Sequence, residues 1–246
     1  MLLIVAAMGE ELKTAMSLCR DEKSIANRSI SLRQATRKEK TISFLKAGVG
    51  PRRSAAALEE ALRFVEVSHI LIIGYAGALD PELRLGDLVA VRRALAFSLD
   101  PANPTWDNVR VDGTFELTQS DELAELGKSL DLRASTGNVL TSAYVLGDPA
   151  HKKLLFDRFR ASVVDMETAA LARIAASKAV PLSCIRVISD EARDTFLEPF
   201  SHNPSTNLAA RASKLLSRGM ALTFREWKTR TQVANKSLTQ FLAHYL

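Results

Sequence analysis

Four short apolar runs, each broken by glycine or acid where a helical pattern takes over or a loop begins, constrain this 246-residue chain more than any other feature. They are "MLLIVAAMGEE" at the start, "ILIIGYAGAL" from Ile70, "SVVDME" from Ser162 and "LSCIRVISDE" from Leu182. Runs this short and rich in Ile, Val and Leu read as buried strands. Their alternation with longer helical periodicities points to an α/β protein. The pattern predicts helices near 10–19, from Pro51, near 119–130 and 149–159, after Glu167, and from about Ser205 to Arg225. It predicts a hairpin of strands near 28–35 and 40–47, and further strands at "GDLVAVRRALAF" and near 136–146. Residues 98–115 and about 192–204 read as loops. Val233, Leu238, Phe241, Leu242 and Tyr245 recur near helical spacing, so 229–246 is expected as a C-terminal helical extension of one domain spanning 1–246.

Composition narrows the function classes. No apolar run approaches the roughly 20 residues that span a bilayer. The chain opens on a strand-like run with no basic leader, which predicts a cytoplasmic protein without a signal peptide. Cys19 and Cys184 lack C-x-x-C spacing and read as reduced core thiols. The formal charge of +5 is spread over the chain, and its basic stretches at 33–40 and 225–230 read as a solvated turn and helix face. Across the chain Lys and Arg are scattered rather than stacked with aromatics as in single-strand binders, so no nucleic-acid partner is expected. The four histidines are dispersed with no metal-ligand spacing, and there is no G-x-G-x-x-G or G-x-S-x-G.

Acids collect where strands end: Glu10 and Glu11, Asp165 and Glu167, Asp190 and Glu191. In open α/β sheets ligands bind at such ends. Each acid has a plain structural explanation as well, since a carboxylate in a first helical turn complements the helix dipole by roughly 0.3–1 kcal/mol.

Taken together, "AAMGEEL", "AGVGPRRSAAALEEAL", "ILIIGYAGALDPELRLGDLVAV", "VVDMETAALA" and "IRVISDEA" resemble the purine nucleoside phosphorylase and methylthioadenosine/S-adenosylhomocysteine nucleosidase superfamily. The anchors run in the family's order from residue 2 to about 195. The chain is also similar to hopanoid-associated, phosphorylase-like members. The resemblance implies a three-layer αβα fold with a mixed, curved central sheet, cleavage of the N-glycosidic bond of a purine nucleoside, no metal or organic cofactor, and a homodimer or larger homo-oligomer, with the 98–115 loop a candidate contributor across the interface.

It also implies roles. Asp190 matches the aspartate that protonates or hydrogen-bonds purine N7, with Ser189 orienting it; an acid role there calls for a partly desolvated carboxyl. Glu167 matches the glutamate that accepts the ribose hydroxyls and favours a cationic sugar, and Met166 would pack on the sugar. Asp165 has a site role and a strand-end role open to it. Glu11 matches the glutamate that activates water, with Glu10 the neighbouring candidate. Tyr144 is expected to stack on the purine and Val145 to offer backbone contacts.

The chain departs from the family's Gly-rich turn, where Tyr75 replaces a serine that helps hold the nucleophile. Gly74, Ala76 and Gly77 retain backbone N–H groups for an anion. The phosphorylase "G-D-P-x-R" loop is absent. Arg52 and Arg53, at a glycine turn and helix start, are the alternative phosphate site. The expected reaction is therefore hydrolysis, with phosphorolysis (inorganic phosphate as co-substrate) and non-catalytic nucleoside binding as alternatives.

Overall fold

The computed structural model describes residues 1–25, 30–99, 105, 108–195 and 218–246, the last helix with its side chains from residue 229 onward. The order is β1 (Leu2–Ala6), α1 (Gly9–Met16), β2 (Arg20–Ser24), β3 (Ser31–Arg37), β4 (Lys40–Lys46), α2 (Pro51–Ala61), β5 (His69–Ala78), β6 (Leu88–Leu99), β7 (Val109–Glu116), α3 (Ser120–Ser129), β8 (Ala134–Thr141), α4 (Pro149–Phe159), β9 (Val163–Asp165), α5 (Thr168–Ser177), β10 (Leu182–Asp190) and α6 (Arg218–Tyr245).

Ten strands form one mixed sheet. β5 pairs with β1, β9 and β10; β10 also pairs with β6, β6 with β8, and β8 with β9. Those five strands close on themselves, and β1, β4, β3 and β2 extend from β5 as an open wing. The curvature the resemblance implied is thus a ring closure. Alternation along β1 and β5 builds the layers: Leu3, Val5, Ile70 and Ile72 join Leu58, Ala61, Ala169 and Ala172 of α2 and α5 on one face. Ile4, Ala6, Leu71 and Ile73 face Leu12, Leu123, Leu238 and Phe241 of α1, α3 and α6 on the other. A strand has period two, so one apolar run feeds both cores.

Several expectations change. The helix expected near 10–19 ends at Met16, and residues 20–24, to which the pattern assigns no element, are a strand paired on the edge of the β3–β4 hairpin. The Gly-rich "GYAG" is not a turn: it continues β5, paired on one side with β10 and on the other with β9. The expected 98–115 loop is shorter, since β6 runs to Leu99 and 109–116 is β7 paired along it; residues 100–104 and 106–107 lie outside the described residues. So do 196–217, on which most of the second loop and the start of the Ser205–Arg225 helix fall. One helix runs unbroken from Arg218 to Tyr245, and the expected extension 229–246 is its C-terminal part. Its buried stripe is Ala234, Leu238, Phe241 and Leu242, while Val233 is 40% exposed.

Candidate active site

Register assembles the site. Pairing of β5 with β10 sets Gly74 opposite Arg186 and Gly77 opposite Asp190. Pairing of β8 with β9 sets Thr141 opposite Asp165. Asp165 and Asp190 therefore stand at strand ends, while Arg186 and Asp190 each face a glycine across the ladder.

Arg186 is the centre of the first cluster. It is 1% exposed, in the middle of the apolar β10. Its Nη2 donates to Asp165 Oδ2 at 2.5 Å and to Thr168 Oγ1 at 2.8 Å, and lies 3.8 Å from Glu167 Oε2. Asp165 also accepts from Thr141 Oγ1 at 2.7 Å, from the Thr168 N–H at 3.1 Å and from the Thr168 hydroxyl. With so many donors aimed at it, Asp165 ties the strand–helix junction together.

Glu11 is buried, and its neighbour Glu10 is exposed. One Glu11 oxygen accepts the Met8 N–H at 2.8 Å, half of a capping box at the start of α1. The other accepts the Tyr75 N–H at 3.1 Å. Gly74 is what lets Glu11 and Arg186 converge: a Cβ there would lie 2.6 Å from Arg186 Nη1 and 2.6 Å from Glu11 Oε1. Burial raises the Glu11 pKa, against the opposing pull of Arg186 and the two N–H donors.

Glu167 is 6% exposed at the N-terminus of α5. Its Oε1 accepts the Gly50 N–H at 2.9 Å. Burial first, then the Asp165 carboxylate, push its pKa up to about 7, with Arg186 and the Gly50 N–H opposing. Met166, between the two acids, is half-buried.

Asp190 ends β10 and is 7% exposed. Ser189 Oγ donates to its Oδ1 at 2.9 Å. Gly77 is obligatory beside it, since a Cβ there would come within 2.8 Å of Oδ2. Its other partner is Lys152 of α4, fully buried, whose Nζ donates to Asp190 Oδ2 at 2.6 Å.

The remaining expected residues divide. Tyr144 and Val145 lie half-buried on the β8–α4 connection, which is tied to the site where the Ser142 N–H donates to the Asp165 carbonyl. Tyr75 gives the site its backbone only: its phenol packs toward α6 and reaches Asn235 Oδ1 at 3.3 Å. The Tyr75 side chain thus turns to Asn235 while its N–H turns to Glu11. Arg52 and Arg53 are exposed on the first turn of α2. The stem of Arg53 folds over Gly48, where a Cβ would meet its Cδ at 2.3 Å. Gly74, Ala76 and Gly77, expected to offer N–H groups to an anion, lie on β5 alongside β10.

Sequence reasoning missed Arg186, Thr141, Thr168 and Lys152. Two had a signal: an arginine inside "LSCIRVIS", and a lysine three residues before Leu155 on the buried stripe of α4. Such charges are almost never fully buried unless paired.

The chain is 30% identical over 197 residues to a 5′-methylthioadenosine/S-adenosylhomocysteine nucleosidase of Geobacillus kaustophilus, covering 76% of this chain and 83% of the relative. It is 25% identical to an aminodeoxyfutalosine nucleosidase of Campylobacter jejuni, covering 77% and 85%. Its fold matches that of futalosine hydrolase of Helicobacter pylori with a TM-score of 0.74 at 19% identity, covering 99% of this chain and 97% of the other. A family model of the phosphorylase superfamily matches residues 2–222. With that match over most of its length, and with the ring-closed mixed sheet bearing the acids at its strand ends, the chain belongs to the phosphorylase superfamily.

Proposed function

We propose that this protein cleaves the N-glycosidic bond of a purine nucleoside with water as the nucleophile. One observation carries the reading: three buried carboxylates, Glu11, Asp165 and Glu167, gather around one buried guanidinium, Arg186. When the C1′–N9 bond stretches, its electron pair moves to the base and the ribose approaches an oxocarbenium ion. An acid-rich cluster in a dry site complements that positive charge. The same cluster repels a phosphate dianion, and Arg52 and Arg53 point to solvent rather than to Glu11. Electrostatics therefore favours water over phosphate.

In this reading Glu11, fixed by the Met8 and Tyr75 N–H groups, orients the attacking water and takes its proton. Glu167, held from behind by Gly50, accepts the ribose hydroxyls, and Met166 packs on the sugar face. Asp190, oriented by Ser189, delivers a proton or hydrogen bond to purine N7, and Tyr144 and Val145 flank the base. The names of the relatives make methylthioadenosine, adenosylhomocysteine and aminodeoxyfutalosine the first nucleosides to try. The proposal includes a single domain, action in the cytoplasm without metal or organic cofactor, and a homo-oligomer.

The test is release of free base from these nucleosides, adenosine and inosine, with and without inorganic phosphate. Release without phosphate, unaffected by a chelator, is expected. Release only with phosphate would replace hydrolysis by phosphorolysis. Saturable binding without release would leave a binding protein.

A further inference from the structure

Lys152 is the one ammonium among the described side chains that is fully withdrawn from solvent. It occupies a position on α4 that its neighbours would assign to an apolar residue. Asp148 caps the helix by accepting the Ala150 N–H at 2.8 Å, and Pro149 follows at the first turn. From that start Lys152 and Leu155, three residues apart, face inward, and Leu155 packs with Leu140, Leu146 and Val164. A lysine on this stripe is costly unless its charge is matched. The match is specific: Nζ donates to Asp190 Oδ2 at 2.6 Å and to the Glu191 carbonyl at 2.9 Å. The ammonium thus holds both the side chain of Asp190 and the backbone just beyond it, while Ser189 Oγ holds Oδ1.

We propose that Lys152 is the positioning residue that makes Asp190 an effective acid for departure of the base. This rests on the function proposed above. As the C1′–N9 bond breaks, the electron pair flows into the purine and Asp190 passes a proton, taken up from solvent with the nucleoside, to N7. The product of that transfer is a carboxylate with 7% exposure. An unpaired carboxylate there would oppose the transfer; the Lys152 ammonium and the Ser189 hydroxyl receive it. The lysine touches neither base nor sugar in this scheme, and acts on the leaving group only through Asp190. Fixing both carboxylate oxygens also sets the direction from which N7 is approached.

Lys152→Met tests this by comparing two leaving groups in the same preparation. Methylthioadenosine needs a proton at its base, whereas 4-nitrophenyl β-ribofuranoside releases a phenolate that does not. The ratio of kcat/KM for the two substrates does not depend on how much of the variant is folded. The expected result is a fall of about 30-fold or more in that ratio, carried by kcat, with KM for methylthioadenosine within about three-fold of the parent. A ratio unchanged within three-fold, both rates falling together, would overturn the proposal and leave Lys152 a structural ion pair. The loss appearing in KM rather than kcat would also overturn it. A parent protein that releases no base with or without phosphate would overturn the underlying function and this role with it, whereas an active parent and an unchanged ratio would remove this role alone.

Discussion

The Gly50 N–H donates to Glu167 Oε1 at 2.9 Å, joining the glycine turn before α2 to the first residue of the α5 cap, 117 positions away in the chain. Gly50 adopts φ 95° to do so, a conformation that favours glycine. The turn that sequence reasoning offered as a phosphate cradle thus serves a carboxylate of the protein itself.

Glu167 supplies the pH dependence. Its pKa stands at about 7 against an ordinary 4.5, so between those values the folded protein keeps a proton that the unfolded chain has lost. Stability from this group is full below pH 4.5 and falls as pH rises to about 7, by up to about 3 kcal/mol. Glu167→Gln should flatten the decline in thermal midpoint between pH 4.5 and 7. A variant whose midpoint declines as steeply as the parent's would contradict the assignment. Because the carboxylate form is the one that accepts ribose hydroxyls, kcat/KM should also rise through an acid limb near pH 7 that the Gln variant lacks.

Removing the cation is expected to be worse than removing an acid. Arg186→Met leaves Asp165, Glu11 and Glu167 buried around no positive charge, and loss of one partner of a buried pair costs about 3–5 kcal/mol. Denaturant unfolding should show a loss in that range. A cost under about 1 kcal/mol would mean that the carboxylates share their protons well enough without it.

Gly74→Ala places a Cβ 2.6 Å from both Arg186 Nη1 and Glu11 Oε1, at a φ of 151°. Either the strand or the two charged groups must shift. Turnover is expected to fall at least 10-fold, with a stability loss of roughly 1–3 kcal/mol. Full activity in purified Gly74→Ala would show that Glu11 does not need its present place.

Tyr75→Phe should be nearly silent in catalysis. The phenol lies toward α6, where Asn235 Oδ1 also accepts Thr14 Oγ1 at 2.5 Å, and only the Tyr75 N–H reaches Glu11. Base release within about three-fold of the parent is expected, with a stability cost near 1 kcal/mol for the lost hydrogen bond. A drop of 100-fold would return the side chain to the site.

Much was legible in the chain itself. The β1 run, the hairpin, α4 at its full extent and β10 follow from period-two and helical patterns, which are local properties of side chains against a backbone. The acids at the strand ends were legible for the same reason, since a carboxylate after an apolar run can only sit at the rim of a sheet. Pairing partners were not. Whether "GYAG" turned or continued depended on β9 and β10 arriving on either side, and residues 20–24 became a strand only because an exposed edge was there to pair with. Arg186 and Lys152 were visible as charges on apolar stripes, but their partners lie at Asp165 and Asp190, brought close by register and by the packing of α4. Local sequence determined which residues would be buried and which would stand at strand ends. Tertiary structure alone decided which charge met which, because the energy of a buried ion depends on groups within a few ångströms in space, wherever they lie along the chain.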